Sequence, residues 1–225
     1  MSVVPTKRAS RAEICRRIEA VGIVPVIRAA TAELALRAAE AVLAGGVSIF
    51  EITMTVPDAP AVIRSLVAKL GDRAVVGAGT VLSAEVARVC IEAGAAFVVS
   101  PGLDLPTVAA VHERGVPMMP GALTPTEVIA AWKSGAEMVK IFPCGAVGGS
   151  KYLRALRGPL PEVKLLPTGG VNLENAGEYI AAGAAALGVG SELIDVAALV
   201  AGNDAVVTER ARALVAAVRA ARGQP

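Results

Sequence analysis

The chain has 225 residues, of which 54% are hydrophobic and 3% aromatic, and its 22 Lys and Arg nearly balance 20 Asp and Glu. This length and composition fit one domain with a large core of small side chains. The balanced charge argues against nucleic acid or an acidic membrane surface as a partner.

The predicted elements begin with a flexible lead-in over residues 1–9, which contains no apolar signal segment. A helix is predicted from Ser10 to Val21, with Ser10 as N-cap and Glu13 completing a capping box. Eight short apolar runs follow it, and none is long enough to span a membrane. They begin at residues 22, 48, 75, 97, 117, 138, 164 and 186, with helical patterns between them.

The regular alternation of these runs with helical patterns indicates the fold. Nearly continuous apolar strands are typical of a parallel sheet that is covered on both faces. Eight such units in about 200 residues predict one (β/α)8 TIM barrel with an N-terminal helix, a single domain over residues 1–225. An open doubly wound sheet is the structural alternative, but no GxGxxG turn follows the first strand.

Polar side chains interrupt or end the apolar runs, and in such barrels the active site lies at the carboxyl ends of the strands. Side chains alternate between the two faces of a strand, so Lys140 is predicted to share the inner face with Met138 and Phe142. In chain order the polar residues are Arg28, Glu51, Thr53, Thr55, Thr80, Ser100, Lys140, Thr168 and Ser191.

Lys140 and Glu51 are the charged members of this set that are predicted inside the barrel. They could form a structural ion pair, although two buried charges often stabilise no more than apolar side chains do. Alternatively, burial disfavours the charged ammonium, and a neutral amine can attack a ketone or aldehyde to form a Schiff base. Glu51 would then carry the protons that imine formation and carbon–carbon cleavage require.

Other chemistries find less support in the residue types present. The single histidine, His112, can supply neither a catalytic metal site nor a serine triad, so we expect no metal and no cofactor. His112 is expected on a helix surface, and Cys144 as a small packing residue. The three cysteines are widely spaced, which indicates reduced thiols in a cytoplasmic protein.

Glycine turns follow the seventh and eighth strands in the motifs PTGG and GVGS. Glycine lets backbone N–H groups approach an anion, and barrels often bind phosphate at this position. The alternative is that these glycines serve turn geometry alone.

Six motifs occur in order between about Gly22 and Leu193: GGVSIFEITMTVPDA, VGAGTVL, FVVSPG, PGALTPTE, EMVKIFP and LLPTGGVN. Together they resemble the 2-keto-3-deoxy-6-phosphogluconate (KDPG) aldolase family. That family also includes 4-hydroxy-2-oxoglutarate (KHG) aldolase and 2-keto-3-deoxy-6-phosphogalactonate aldolase. The resemblance implies a metal-free class I aldolase, a small-molecule 2-keto acid substrate, pyruvate as a product, and a homotrimer.

The resemblance also implies roles for individual residues. Lys140 corresponds to the Schiff-base lysine, and Glu51 to the general acid and base. Thr168 corresponds to a contact with the substrate hydroxyl and keto acid. The phosphate site corresponds to Gly169, Gly170, Gly190 and Ser191, and the remaining substrate-binding residues are expected to be Arg28, Thr53, Thr55, Thr80, Pro101 and Phe142.

One position departs from the family pattern. Many phosphogluconate-type members carry, shortly after the glutamate, an arginine that holds the pyruvate carboxylate, whereas this chain has Thr55 there. Arg28, at the end of the first strand, is expected to replace it; otherwise Arg28 is an exposed loop residue. An arginine on the first strand resembles the galactonate branch, and Thr168 resembles the gluconate branch.

The expected reaction is reversible cleavage of KDPG to pyruvate and glyceraldehyde 3-phosphate. KHG or the galactonate epimer are alternative substrates for the same residues. Two more distant alternatives are a phosphosugar isomerase or epimerase, which needs Glu51 but no nucleophilic lysine, and a non-enzymatic metabolite-binding barrel.

Overall fold

The computed structural model describes residues 9–224. Its first helix, α1, covers Arg11–Val21, and the Ser10 hydroxyl accepts a hydrogen bond from the Glu13 backbone N–H at 3.3 Å. The predicted N-cap is therefore confirmed. The predicted capping box is wrong in its second half, because the exposed Glu13 side chain makes no reciprocal bond among the described residues.

Parallel strands alternate with helices along the described chain. The strands are β1 Ile23–Ile27, β2 Ile49–Thr53, β3 Val75–Gly79, β4 Val98–Val99, β5 Met118–Met119, β6 Gly121–Ala122, β7 Val139–Ile141, β8 Leu165–Pro167 and β9 Leu187–Val189. The further helices are α2 Ala32–Ala44, α3 Ala59–Leu70, α4 Ala84–Glu92, α5 Leu105–Glu113, α6 Pro125–Lys133, α7 Gly149–Arg157, α8 Ala176–Ala181, α9 Val196–Val200 and α10 Ala205–Ala221. Two 3-10 helices cover Gly71–Arg73 and Gly145–Val147.

The strands close into a barrel. Six of them form a sheet in the order β5-β4-β3-β2-β1-β9, and three form a second sheet in the order β6-β7-β8. The predicted fifth run supplies both β5 and β6, which are separated at Pro120 because proline has no N–H to donate. At the other seam, Thr168 of the segment after β8 pairs with Gly188 of β9 in a parallel bridge. The predicted (β/α)8 barrel is confirmed.

Alternating side chains of the strands build two separate apolar clusters. The outward residues, such as Phe50 and Ile52 of β2 and Val139 and Ile141 of β7, pack in the cluster that includes the helices. The inward residues near the starts of the strands pack against Ile14, Cys15 and Ile18 of α1. They are Val24, Ile49, Val75, Phe97, Val99, Met119, Met138, Leu166 and Ala186. The helix α1 thus closes one end of the barrel, which leaves the carboxyl ends of the strands for the polar residues.

Glu137, which precedes β7, lies at the end closed by α1. Its carboxylate forms an ion pair with Arg11 of α1 and accepts the Met118 backbone N–H at 2.9 Å. His112 Nε2 lies 3.4 Å from Glu137 Oε2. The expectation of a surface position for His112 is wrong, because its side chain is partly buried beside this carboxylate. Between residues 9 and 224, no helix has both the length and the apolar character of a membrane span.

Candidate active site

Lys140 and Glu51 meet inside the barrel from opposite walls. Lys140 projects from β7 and Glu51 from β2, strands that lie on opposite sides of the closed ring. Their side chains are 2% and 1% exposed, and Lys140 Nζ lies 4.0 Å from Glu51 Oε1. The predicted inward direction of both side chains is confirmed.

Apolar neighbours hold the lysine in place. Met138 and Leu166 belong to the inner cluster on the same face of the barrel, where Met138 precedes Lys140 by two residues and Leu166 of β8 is its register partner. The Lys140 backbone N–H donates to the Pro120 carbonyl at 2.9 Å, which fixes β7 against the segment between β5 and β6. On the open side, Nζ lies 5.3 Å from the centroid of the Phe142 ring, within the range of a cation–π contact.

Glu51 is placed in an environment that disfavours its charge. Burial raises the pKa of its carboxyl group, while the nearby cations Lys140 and Arg28 act in the opposite direction. Among the described residues, Oε1 has no hydrogen-bond partner, since 4.0 Å to Nζ exceeds the length of a hydrogen bond. A buried carboxylate oxygen with no partner is costly in a purely structural role, and is suited to accept a proton or hydrogen bond from a bound molecule.

The two threonines after Glu51 are bonded to each other and to the neighbouring strand. The Thr53 hydroxyl donates to the Ile27 carbonyl at 3.1 Å, and the Thr53 and Thr55 hydroxyl oxygens are 2.6 Å apart. Because Thr53 has one proton and donates it to Ile27, Thr55 is the donor between the two hydroxyls. Neither threonine proton then points to a ligand. Arg28, the residue after Ile27, is exposed, and its positively charged guanidinium carries N–H groups that can donate to a ligand.

A cavity of about 140 Å³ is lined by Phe142, whose ring lies beside Lys140 Nζ, although neither Lys140 nor Glu51 is among its lining residues. It brings together most of the predicted substrate and phosphate residues from β1, β8 and β9, and it also includes the unpredicted Glu192. Its lining residues are Val26, Arg28, Phe142, Thr168, Gly169, Gly170, Val171, Gly188, Gly190, Ser191 and Glu192.

The turn after β8 is held by reciprocal side-chain bonds. Gly169 and Gly170 have φ angles of 84° and 80°, which favour glycine. Asn172 and Asn175 each accept the other's backbone N–H, at 2.9 and 3.0 Å, and Asn175 Nδ2 donates to the Gly170 carbonyl at 2.8 Å. Sequence reasoning missed this asparagine pair, although its spacing in VNLEN is typical of side chains that bond to nearby backbone.

Four predicted substrate residues lie outside the cavity lining: Thr53 and Thr55, described above, and Thr80 and Pro101. Thr80 follows β3 with a φ of 58°, an uncommon conformation for a β-branched residue. Pro101 follows β4 and packs its carbonyl against Gly121 of β6, where a Cβ atom would lie 2.1 Å from the oxygen. Both residues lie at the carboxyl ends of their strands, away from the glycine turns.

Within residues 9–224, no three His, Cys, Asp or Glu side chains are grouped as ligands of one metal ion. The described chemistry of the site consists of an amine, a carboxylate, hydroxyls, a guanidinium and backbone N–H groups. An amine in its neutral form attacks carbonyl carbon, and the carboxylate can move the protons.

Comparison with known proteins identifies the family to which the chain is similar. The sequence model for KDPG and KHG aldolase matches residues 14–210. The KHG/KDPG aldolase of Escherichia coli K12 is 39% identical over 193 residues, covering 86% of this chain and 90% of the relative.

Solved structures agree with this match. The KDPG aldolase of Legionella pneumophila, with pyruvate captured as a covalent carbinolamine, has a TM-score of 0.82 at 33% identity and covers 89% of this chain and 97% of its own. A cage protein designed by fusing symmetric oligomeric domains has a TM-score of 0.80 at 30% identity and covers 90% of this chain and 73% of its own. The chain is therefore a member of the KDPG and KHG aldolase family, and with it a lyase.

Proposed function

We propose that the chain cleaves KDPG reversibly to pyruvate and glyceraldehyde 3-phosphate through a Schiff base on Lys140. The observation that carries this proposal is the pairing of Lys140 with Glu51. Two buried ionisable side chains approach from opposite walls to 4.0 Å, and the facing carboxylate oxygen has no hydrogen-bond partner among the described residues. A structural ion pair would gain most by closing that distance to a hydrogen bond of about 2.8 Å.

In the proposed reaction, the neutral amine of Lys140 adds to the C2 carbonyl carbon of KDPG. Glu51 in its protonated form donates a proton to the carbinolamine hydroxyl, water leaves, and a protonated imine forms. The Glu51 carboxylate then accepts the proton of the C4 hydroxyl through a water molecule. The C3–C4 bond breaks, its electron pair moves into the imine to give an enamine, and C4 becomes the aldehyde carbon of glyceraldehyde 3-phosphate.

The second half of the reaction regenerates the free amine of Lys140. The enamine carbon C3 takes a proton from Glu51, which gives the imine of pyruvate. Water adds to this protonated imine and gives up one proton to the Glu51 carboxylate, so the water released in the first half is consumed and Glu51 regains its proton. Pyruvate leaves with Lys140 again a neutral amine. Burial supports both roles of Glu51, because a carboxyl whose pKa is raised can donate a proton as well as accept one.

The cavity lined by Phe142 accounts for the two ends of the substrate. We assign the keto acid carboxylate to Arg28, because the protons of Thr53 and Thr55 are already donated to other oxygens. We assign the phosphate to the glycine turns and Ser191, where backbone N–H groups can approach an anion. Thr168 lines the same cavity and is assigned to a substrate hydroxyl.

KHG is the second candidate substrate. The matching family model and the E. coli relative both bear the names of KHG and KDPG aldolases. KHG presents the same keto acid end to Lys140 and ends in a carboxylate on C4, where KDPG continues to its phosphate. The galactonate epimer of KDPG is a further candidate substrate, because Arg28 resembles the galactonate branch of the family and Thr168 resembles the gluconate branch.

An isomerase or epimerase would use Glu51 to move protons but would not need a nucleophilic lysine at position 140. A metabolite-binding barrel would need neither group in a reactive state. Membership in an aldolase family argues against both.

We further propose that the chain works as a homotrimer in the cytoplasm. The similar cage protein was made from symmetric oligomeric domains, which supports an oligomer. The apolar side chains of Leu82, Val86 and Val89 are exposed on or beside α4, as a subunit contact would require. Cys15, Cys90 and Cys144 are all free thiols, as in a reducing compartment.

The substrate assignment is tested by steady-state cleavage of KDPG, its galactonate epimer and KHG under one set of conditions. We expect the highest kcat/KM for KDPG. A higher value for KHG would show that the glycine turns do not serve a phosphate, and no cleavage of any of the three would overturn the proposed function.

A further inference from the structure

The inward face of β3 carries two glycines in succession. Val75 of this strand belongs to the inner cluster, and Val76 and Ala78 belong to the outer one, so Gly77 and Gly79 point into the barrel. A Cβ atom built on Gly77 would lie 2.3 Å from the Phe97 ring, and one on Gly79 would lie 2.3 Å from Glu51 Oε1. Each glycine therefore leaves a recess that a specific side chain fills.

The recess at Gly79 contains the reactive end of Glu51. The oxygen nearest to it, Oε1, is also the atom that faces Lys140 at 4.0 Å and has no hydrogen-bond partner among the described residues. Glu51 belongs to β2, the neighbour of β3, while Lys140 approaches from the far side of the barrel. The carboxylate thus lies against the β3 wall, on the side away from the lysine.

Position 79 requires glycine because there is no space for a side chain, and not because of its backbone conformation. Gly79 does not have a φ in the left-handed region, unlike Gly169 and Gly170, so its backbone would accept alanine. The three atoms nearest to such a methyl group, at 2.3–3.0 Å, all belong to the Glu51 side chain. Gly77 has the same property with respect to Phe97.

We propose that Gly79 is a positioning residue, which lets the Glu51 carboxylate withdraw into the β3 wall and so keeps it out of direct hydrogen-bond contact with Lys140. This inference rests on the proposed function of the pair. A direct hydrogen bond of about 2.7–2.9 Å would hold the lysine as an ammonium ion, which has no electron pair for attack on a carbonyl. The separation also leaves Oε1 accessible to a substrate hydroxyl or a bridging water.

A methyl group at position 79 would displace the carboxylate away from β3, toward the barrel axis and Lys140. We expect Gly79→Ala to lower kcat/KM for KDPG and the rate of borohydride trapping of pyruvate by about 10-fold or more. Gly77→Ala is the matched control, since it introduces the same clash on the same face but against Phe97. It should reduce thermal stability by a comparable amount with a much smaller loss of trapping rate.

A double-mutant cycle separates displacement of the carboxylate from general damage to the strand. Glu51→Asp shortens the side chain by one methylene and draws the carboxyl group back toward β2, which relieves the closest contact, 2.3 Å to Oε1, that a methyl group at position 79 would make. We therefore expect Gly79→Ala to cost less than about 3-fold in the Glu51→Asp background. Equal losses in both backgrounds, or losses equal to those of Gly77→Ala, would overturn the inference.

A measurement independent of catalysis distinguishes this inference from the proposed function. The Glu51 carboxyl carbon can be titrated by NMR in the wild-type chain, in Gly79→Ala and in Gly77→Ala. A carboxylate moved closer to Lys140 should titrate at lower pH in Gly79→Ala alone. An unchanged titration would contradict the positioning role even if the enzyme is an aldolase, whereas a shift without any pyruvate trapping in the wild type would support it while contradicting the proposed function.

Discussion

Glu51 is buried inside the barrel, so its ionisation depends on burial and on the nearby cations Lys140 and Arg28. For Glu51, burial is the larger effect and raises its pKa, and the two cations oppose that rise. The carboxyl group therefore loses its proton only above the 4.5 that is ordinary for glutamate. The pH at which the enzyme gains activity should report this group.

We predict that kcat for KDPG falls on the acid side with a midpoint above pH 4.5. Once the imine has formed, Glu51 must be a carboxylate to accept the C4 hydroxyl proton. Below the midpoint it takes up a proton again, so cleavage is lost as the pH decreases through the raised pKa. Arg28→Ala removes one of the cations that lower this pKa and should move the acid limb to higher pH. A pH–rate profile with its acid midpoint at or below 4.5 would contradict the assignment of Glu51.

Arg28 should contribute to recognition of the keto acid more than of the phosphate. A charge-assisted hydrogen bond is worth roughly 1.5–3 kcal/mol, so Arg28→Ala should lower kcat/KM by about one to two orders of magnitude. The loss should be similar for KDPG and KHG, because both present the same keto acid end. Arg28→Lys should restore little, since an ammonium cannot replace a planar guanidinium that binds a carboxylate through two N–H groups.

Ser191→Asp is the control for the Arg28 experiment. Ser191 lines the same cavity next to the glycine turns, and a carboxylate there should repel a phosphate. It should therefore reduce cleavage of KDPG much more than cleavage of KHG. If Arg28→Ala instead harms KDPG alone, then Arg28 binds the phosphate, and the keto acid carboxylate is held by other groups.

At the scale of elements, one end of the barrel serves function and the other serves stability. The carboxyl ends of the strands carry the candidate site, and the opposite end is closed by α1 and the Glu137 cluster. Glu137 connects α1, α5 and β5 through Arg11, His112 and the Met118 backbone N–H. Substitutions at this end should therefore change stability without changing the chemistry.

We predict that Glu137→Ala lowers the free energy of unfolding by about 1.5–3 kcal/mol, because it leaves a mostly buried backbone N–H and a partly buried histidine without their acceptor. Urea denaturation measures this, and kcat should stay close to the wild-type value. Glu209→Ala, which breaks an exposed ion pair with Arg212 on α10, should change stability little. Equal effects of the two substitutions would show that α1 is not held by Glu137.

The strand positions and the inward direction of Lys140 and Glu51 could be predicted because both follow from the local alternation of apolar and polar residues. The contact between Thr53 and the Ile27 carbonyl could not, because it depends on the register of two neighbouring strands. The recess at Gly79 depends in the same way on the β2–β3 pairing. His112 was misplaced because its partner Glu137 lies 25 residues further along the chain.

At the scale of the whole molecule, we predict that the protein sediments as a trimer at micromolar concentration. The prediction rests on family membership and on the exposed apolar side chains around α4. Replacing Val86 and Val89 by lysine should weaken a contact at that surface, whereas the exposed Val200 on α9 offers a control site. A stable wild-type monomer would contradict the prediction, and a trimer unaffected by the α4 substitutions would place the contact elsewhere.

The central claim is that Lys140 is the nucleophile, and the most direct test is reduction with borohydride in the presence of pyruvate. We predict irreversible inactivation and a pyruvate-derived mass on the peptide that contains Lys140, unchanged by EDTA because an imine needs no metal. Lys140→Met should give neither. Labelling of Lys133, Lys151 or Lys164 instead, or inactivation without any adduct, would contradict the account.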